Sequence, residues 1–332
     1  MKSFSRSQRY GYLIGAATLV LVSLLPAWTV AEADHEHMQH SNSASLGSEF
    51  QILRLLDAPS EAPGHLAYDP ESNRLWMVTM GPPANTSGPS RLYEIDPVDG
   101  RVRATAQLPF LGEFGMPSFL DGRLFLIVHH ESTMYEISVA ADTFGEIVKE
   151  TALPTVNEVG HDGEEPLRFP FIAFKGLTHA GDGSLIAHAQ DLGEFFRLDP
   201  KTGQAGERVR TLRSLAGISA TSGPNGELLV IATSDPIKAA FEYHVRRYMF
   251  RASHGIVPAV RYGKKAIHWV LLDGRSGETL ASIRRLEPRI EASSVALVGR
   301  KDVEGARYGR FEFWATGSEG LFLAQWTPGL KS

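Results

Sequence analysis

Residues 175–203 read KGLTHAGDGSLIAHAQDLGEFFRLDPKTG. Three short apolar runs stand out: Gly176–His179, Leu185–Gln190 and Glu194–Leu198. Gly181-Asp182-Gly183 separates the first two, and Asp199-Pro200-Lys201-Thr202-Gly203 follows the third. Glycine, aspartate and proline at these positions are turn chemistry, so the segment is a set of short strands joined by tight turns. The same pattern recurs four more times along the chain.

Aligned on this template, the first strands fall at His65–Tyr68, Met116–Phe119, Gly176–His179, Gly217–Ala220 and Ser294–Leu297. Second strands fall at Leu75–Thr79, Leu124–His129, Leu185–Gln190, Leu228–Thr233 and Phe311–Thr316. Third strands follow at Arg91–Ile95, Met134–Ile137, Glu194–Leu198, His268–Leu272 and Gly320–Gln325. Fourth strands follow at Val102–Leu108, Ile147–Leu153, Val209–Leu215 and Thr279–Leu286. The fifth repeat has no fourth strand, and the chain carries an orphan strand, Phe50–Leu55, ahead of the first repeat. If the orphan completes the last sheet, the ring closes by joining the two ends of the chain and leaves few exposed edges. The expectation is an all-β fold, a five-bladed β-propeller over residues 49–328. A six-bladed ring, with a further blade in the long insertion of repeat four, is the alternative. Ala67, Ser118, Thr178, Ser219 and Ala296 occupy equivalent inner-strand positions and are all small, as a narrow axis requires.

The residues Gly176-Leu177, Asp182-Gly183, Leu198-Asp199-Pro200 and Lys201-Thr202-Gly203 resemble those of exported propellers of the YVTN/NHL-like kind and of bacterial glutaminyl-peptide cyclotransferases. Ile95-Asp96-Pro97-Val98-Asp99-Gly100 and Leu272-Asp273-Gly274-Arg275-Ser276-Gly277 echo the same pattern. The resemblance spans nearly the whole chain after the N-terminal segment, but it lies in turns, which specify a fold and not an activity. The cyclotransferase resemblance implies an acidic residue closing a second strand beside the Gly-Leu motif; this chain has Ala187-His188-Ala189-Gln190 there.

The chain has 332 residues, 43% apolar and 21% charged, enough to bury a large core. It has no cysteine, which excludes disulfides, thiolate nucleophiles and thiolate metal sites. Lys2, Arg6 and Arg9 precede an apolar run, Leu13–Leu25, too short to span a bilayer comfortably, and small residues follow at 29–33. Residues 1–31 therefore read as a cleaved secretory signal, which places the mature protein in the periplasm or outside the cell, with no transmembrane helix left in it. Without those residues the formal charge goes from −5 to about −8, which argues against nucleic-acid binding. Residues 32–48 read as a disordered, His-rich tail. There His35, His37 and His40, with Met38, form a set able to collect Cu or Zn, or simply a solvated spacer.

Three groups of candidate residues converge on the face where second strands pass to third strands and one blade passes to the next. The first is a ring set: His65 and Met116 at the starts of inner strands, His129 and His130 at the end of one second strand, His188 and Asp191 at the end of another. Such imidazoles from adjacent blades suit a divalent metal, and His188, which aligns with Ile127, equally suits a hydrogen-bonded interior position. The second is the link 155–174, where Glu158, His161, Asp162, Glu164 and Glu165 face a single Arg168. It reads as a solvated acidic loop, as a Ca or transition-metal site built on His161 and Glu165, or as an acid–base pair. The third is the insertion 236–266. Asp235 suits an N-cap and Pro236 the first helical turn, and Arg246 and Arg247 lie on a basic face suited to an anionic ligand.

No nucleophile elbow or phosphate loop is present. The sequence thus points to an exported propeller that binds a small molecule, a divalent metal (Ca, Zn or Cu) or a partner protein on this face without catalysis. The alternative is a metal-dependent hydrolase or lactonase, or a glutaminyl-peptide cyclotransferase.

Overall fold

The computed structural model describes residues 47–59, 64–79, 89–111, 117–128, 133–153, 176–189, 194–211, 214–235, 267–285, 294–317 and 320–330. The first strand, β1 (Gly47–Leu56), is the orphan of the repeat. Blade one follows as β2 (His65–Asp69), β3 (Arg74–Thr79), β4 (Pro89–Ile95) and β5 (Val102–Leu111). Blade two is β6 (Ser118–Leu120), β7 (Arg123–Ile127), β8 (Thr133–Ser138) and β9 (Ile147–Ala152). Blade three is β10 (Gly176–His179), β11 (Leu185–Ala189), β12 (Glu194–Leu198) and β13 (Ala205–Arg210). Blade four is β14 (Ser214–Ser222), β15 (Leu228–Asp235), β16 (Ile267–Asp273) and β17 (Thr279–Arg285). The last three strands are β18 (Val295–Lys301), β19 (Arg310–Gly317) and β20 (Gly320–Leu330).

Each blade is a four-stranded antiparallel sheet, and the fifth has the order β1-β20-β19-β18. The chain's first strand closes its last sheet: Gln51 lies opposite Gln325, Leu55 opposite Phe322 and Leu56 opposite Leu321. The inner strands β2, β6, β10, β14 and β18 adjoin in turn and return to β2. The fold is a five-bladed β-propeller, and among the described residues there is no helix. The expected helical insertion at 236–266, the signal at 1–31 and the tail up to residue 46 lie outside the described residues.

The second strands carry buried apolar side chains on both faces, because each blade is covered by a neighbour on either side. In β3, Leu75 and Met77 pack toward blade five, while Trp76 and Val78 pack toward blade two. The same alternation fills the other seams, between blades two and three, three and four, and four and five. Phe50 of β1 joins the last of these, its ring 5.7 Å from Trp269 and 6.0 Å from Phe313, so the closing strand is anchored in core as well as by ladder bonds. Trp76 stacks on Phe119 at 4.6 Å across the first seam, with the Arg74 guanidinium over its ring at 5.0 Å.

Inner strands are also clasped to one another by hydroxyls. Ser294 Oγ accepts from Leu66 N at 2.6 Å, Ser219 Oγ from Leu297 N at 3.2 Å, and Thr178 Oγ1 from Ala220 N at 3.2 Å. Outer turns make further bridges: Arg54 donates to the Pro97 and Val98 carbonyls, Arg74 to Val139 O, and Arg300 to Ser222 O.

One strand differs from the sequence reading. The fourth strand of blade three is Ala205–Arg210, not Val209–Leu215; Ser214 and Leu215 already belong to β14, opposite Asp235 and Ser234. The apolar pattern at 209–215 is continuous because Val209 and Leu215 both pack in one seam, from two different strands.

Candidate functional site

In four-stranded antiparallel blades, the links from second to third strand and from one blade to the next leave from the same end. That end is the mouth. The opposite end is closed by tight turns, in which Asp96, Asp199 and Asp273 each accept a backbone N–H two residues on, at 2.8, 2.7 and 2.9 Å.

The level of each second strand just below the mouth is informative. The position is Val78 in blade one, Ile127 in blade two, His188 in blade three, Thr233 in blade four and Thr316 in blade five. Two blades are apolar there and three are polar. His188, Thr233 and Thr316 are all buried, at 0%, 2% and 0% exposure. Thr233 Oγ1 accepts from Gly217 N at 3.0 Å. Thr316 Oγ1 is fully buried and has no hydrogen-bond partner among the described residues. A buried hydroxyl without a partner costs about 1–3 kcal/mol, so the Thr316 hydroxyl, at a level that is apolar in blades one and two, is not explained by packing.

Nearer the axis, the inner-strand positions beside this level are His65 opposite Val78, Gly176 opposite His188, and Gly217 opposite Thr233. Blades three and four therefore present no side chain there, while blade one presents the half-buried His65 and blade five the buried Ser294. The polar level thus borders the axis where the inner strands are thinnest.

A buried carboxylate lies on the opposite face of blade three from His188. Glu194 opens β12 opposite Ala189 and is fully buried. It shares the parity of Phe196 and Leu198, which pack in the seam between blades two and three. Arg208 Nε stands 4.0 Å from its Oε1.

The ring residues anticipated from sequence are thus partly placed. His65 lies at the mouth end of the inner strand of blade one, His188 at the mouth end of the second strand of blade three, and Asp235 closes β15 opposite Ser214. Met116, His129, His130, Asp191, Arg246, Arg247, His161, Glu165, His35, His37 and His40 lie outside the described residues. Among the described residues, no three histidines or carboxylates gather in metal-binding geometry, and no helix is long and apolar enough to cross a membrane. Glu194, Thr233 and Thr316 were not singled out from sequence. The comparison of second-strand ends across repeats was the available signal for the threonines, and a charged residue in a seam-facing register was the signal for Glu194.

The other histidine with a described side chain, His179, lies at the turn end. Burial lowers its pKa from the ordinary value, while Asp121 and Asp182 act in the opposite direction.

No protein-family model matches this chain, and no curated protein sequence does. Among solved structures, it is similar to glutaminyl cyclase from Myxococcus xanthus, with 12% identity over 84% of this chain and 97% of that one and a TM-score of 0.48. It is similar to virginiamycin B lyase from Staphylococcus aureus, with 13% identity over 85% and 99% and a TM-score of 0.42. It is also similar to BamB from Moraxella catarrhalis, with 13% identity over 80% and 84% and a TM-score of 0.36. Likenesses of this order say nothing about substrate or partner.

Proposed function

We propose that this propeller is an exported binding protein that holds a small, hydrogen-bonding molecule at its mouth, over blades three to five. The observation that carries the reading is the change from Val78 and Ile127 to His188, Thr233 and Thr316 at one buried level, with the Thr316 hydroxyl making no hydrogen bond among the described residues. Ligand pockets are apolar walls with a few placed polar groups, and this level supplies such groups from three blades. Of the ligands considered from sequence, a neutral polar molecule fits these donors and acceptors better than a divalent ion. The imidazoles of His65 and His188 sit on non-adjacent blades, and the acidic residues of the link 155–174 remain a separate proposal for Ca, Zn or Cu.

The test is a thermal-shift and calorimetric screen of amino acids, sugars, nucleosides and divalent cations against the mature protein. The reading expects a polar organic ligand whose affinity falls at least about tenfold in His188→Leu and in Thr316→Val. A ligand that binds both variants as tightly as the native chain contradicts it, as does stoichiometric metal that leaves on mutation of His65 or His161. Export is tested by fractionation and N-terminal sequencing, with a mature start near residue 32.

A second reading, that the mouth is catalytic, is favoured by one observation: the fully buried Glu194 carboxylate near Arg208. A fully buried carboxylate beside a guanidinium is a candidate for acid–base work as well as a structural ion pair. Turnover of the identified ligand that disappears in Glu194→Gln, with binding retained, would establish it.

A further inference from the structure

The seam between blades five and one, where the ring closes, ends at the mouth in hydroxyls. Val295 lies opposite Ala315, which brings Ser294 beside Thr316 one step nearer the mouth. Both face blade one. Ser294 Oγ accepts from Leu66 N at 2.6 Å, and Thr316 shares the parity of Trp314, which packs with Leu66, Leu75 and Met77. Thr79 faces them from blade one, because it shares the parity of Leu75 and Met77. All three hydroxyl residues are at most 2% exposed. In the next seam, between blades one and two, the corresponding second-strand residues are Val78 and Val128, both buried and apolar.

Each hydroxyl can donate one proton. Among the described residues none of the three has an acceptor for it, and Thr316 Oγ1 makes no hydrogen bond of either kind. Ser294 Oγ already accepts, so what the group lacks is an acceptor. A further donor stands at the rim. Arg91 is directly opposite Thr79 in the β3–β4 ladder, on the same face. It is exposed and makes no hydrogen bond or ion pair among the described residues. Directly opposed residues have Cβ atoms about 4.5–5.5 Å apart, so the Arg91 side chain reaches over Thr79. Gly64, just ahead of β2, presents no side chain on this face. A Cβ there would stand 2.9 Å from Thr79 Cγ2 and 2.4 Å from Met77 Cγ.

We propose that the mouth holds its ligand by a carboxylate, one oxygen among the hydroxyls of Thr79, Ser294 and Thr316 and the other on Arg91. This rests on the reading of the mouth as a binding site and names the group that its unpartnered hydroxyl receives. Amino acids, neutral overall, carry that group. An ionised carboxylate only accepts, which matches a set of groups left only to donate, and hydrogen bonds to a charged acceptor are roughly twice as strong as neutral ones. A divalent cation would meet the Arg91 charge. A ligand held in this way touches the first and the last blade together.

The probe is acetate, titrated at constant ionic strength into the mature protein with labelled Thr and Met methyl groups. Acetamide has the same shape without the charge, and chloride the charge without the shape. The expected result is saturable shifts of the Thr79, Thr316 and Met77 methyls at about 1–30 mM acetate, with acetamide several-fold weaker. Thr79→Val and Thr316→Val keep the side-chain shape and should each weaken acetate about tenfold, as should Arg91→Gln at an exposed position that does not threaten folding. Ser294 is left native because it clasps Leu66. Absence of saturable shifts at these methyls up to about 100 mM acetate overturns the proposal. So do equal affinity for acetamide or chloride, and unchanged affinity in both valine variants. The two readings of the mouth separate cleanly. An organic ligand that weakens in His188→Leu but not in Thr79→Val or Arg91→Gln keeps the binding site and overturns the carboxylate anchor. Acetate held here, with no organic ligand dependent on His188, supports the anchor and overturns the wider site.

Discussion

Removing the Ser294 hydroxyl tests whether the ring is held by clasps between inner strands as well as by apolar seams. In Ser294→Ala, the Leu66 N–H, on a residue 1% exposed, loses its 2.6 Å acceptor across the seam between blades five and one. Leaving a buried donor unsatisfied costs about 1–3 kcal/mol, and a neutral hydroxyl acceptor places this one in the middle of that range. For a domain of this size, about 2–4 °C of Tm accompanies each kcal/mol, so a fall of about 4–8 °C is expected. Thr178→Val and Ser219→Ala each remove an acceptor from one further seam, Ala220 N and Leu297 N respectively. These two hydroxyls also face each other at 3.5 Å, so their effects should couple, whereas either should add to Ser294→Ala. Urea unfolding of the single and double variants reads all of this directly. A loss below about 0.5 kcal/mol in Ser294→Ala, or strict additivity of Thr178→Val with Ser219→Ala, would refute the reasoning.

Two further outcomes follow from the turn end. The Asp182 carboxyl is lowered to about 2, first by the Ser184 hydroxyl and then by Arg197. Its folded pKa lies below the unfolded value, so its contribution is complete above about pH 4 and is lost as pH falls toward 2. Asp182→Asn should flatten Tm between those pH values, modestly, because the side chain is half exposed and screened. A parallel acid limb in the variant would contradict this. Burial likewise lowers His179 below its ordinary 6.5, so its contribution is present above pH 6.5 and declines below it; His179→Gln should remove that decline in a Tm-against-pH series. Gly203 and Gly183 both have left-handed φ, +71° and +82°, but only Gly203 would place a Cβ 2.6 Å from a neighbouring blade's backbone, at Ala152 O. Gly183→Ala should cost about 1 kcal/mol and Gly203→Ala clearly more in chemical denaturation; equal losses would dismiss the interblade contact.

The blade pattern was legible because turn chemistry is local. Asp182-Gly183 and Asp199-Pro200-Lys201-Thr202-Gly203 state their conformation within a few residues, and Gly176–His179 and Glu194–Leu198 were bounded to the residue by such punctuation. The closing pair of β1 with β20 is remote in sequence, yet it followed from the missing fourth strand of the last repeat. The β13–β14 boundary was misplaced because the link between them is short and lacks glycine or proline, so apolar spacing ran on across two strands. The mouth was less legible. Side-chain direction depends on which seam a residue faces, and Glu194, Thr233 and Thr316 gain meaning only when seams are known. His188 stood out as a histidine, but its level with Thr233 and Thr316 became evident from the ladders.

Circular closure by the first strand underlies the assignment of loops to the mouth, and a cross-link tests it most directly. The chain has no cysteine, so Gln51→Cys with Gln325→Cys gives the only thiols. Directly opposed antiparallel residues lie about 4.5–5.5 Å apart at Cα, within reach of a disulfide. The account predicts a fast-migrating, monomeric cross-linked species on mild oxidation. Its loop of about 275 residues should raise stability by up to about 5 kcal/mol, and a Gln51→Cys, Gln107→Cys pair should not cross-link within the monomer. Failure of the first pair to form, or its formation only between two molecules, would contradict the closed ring.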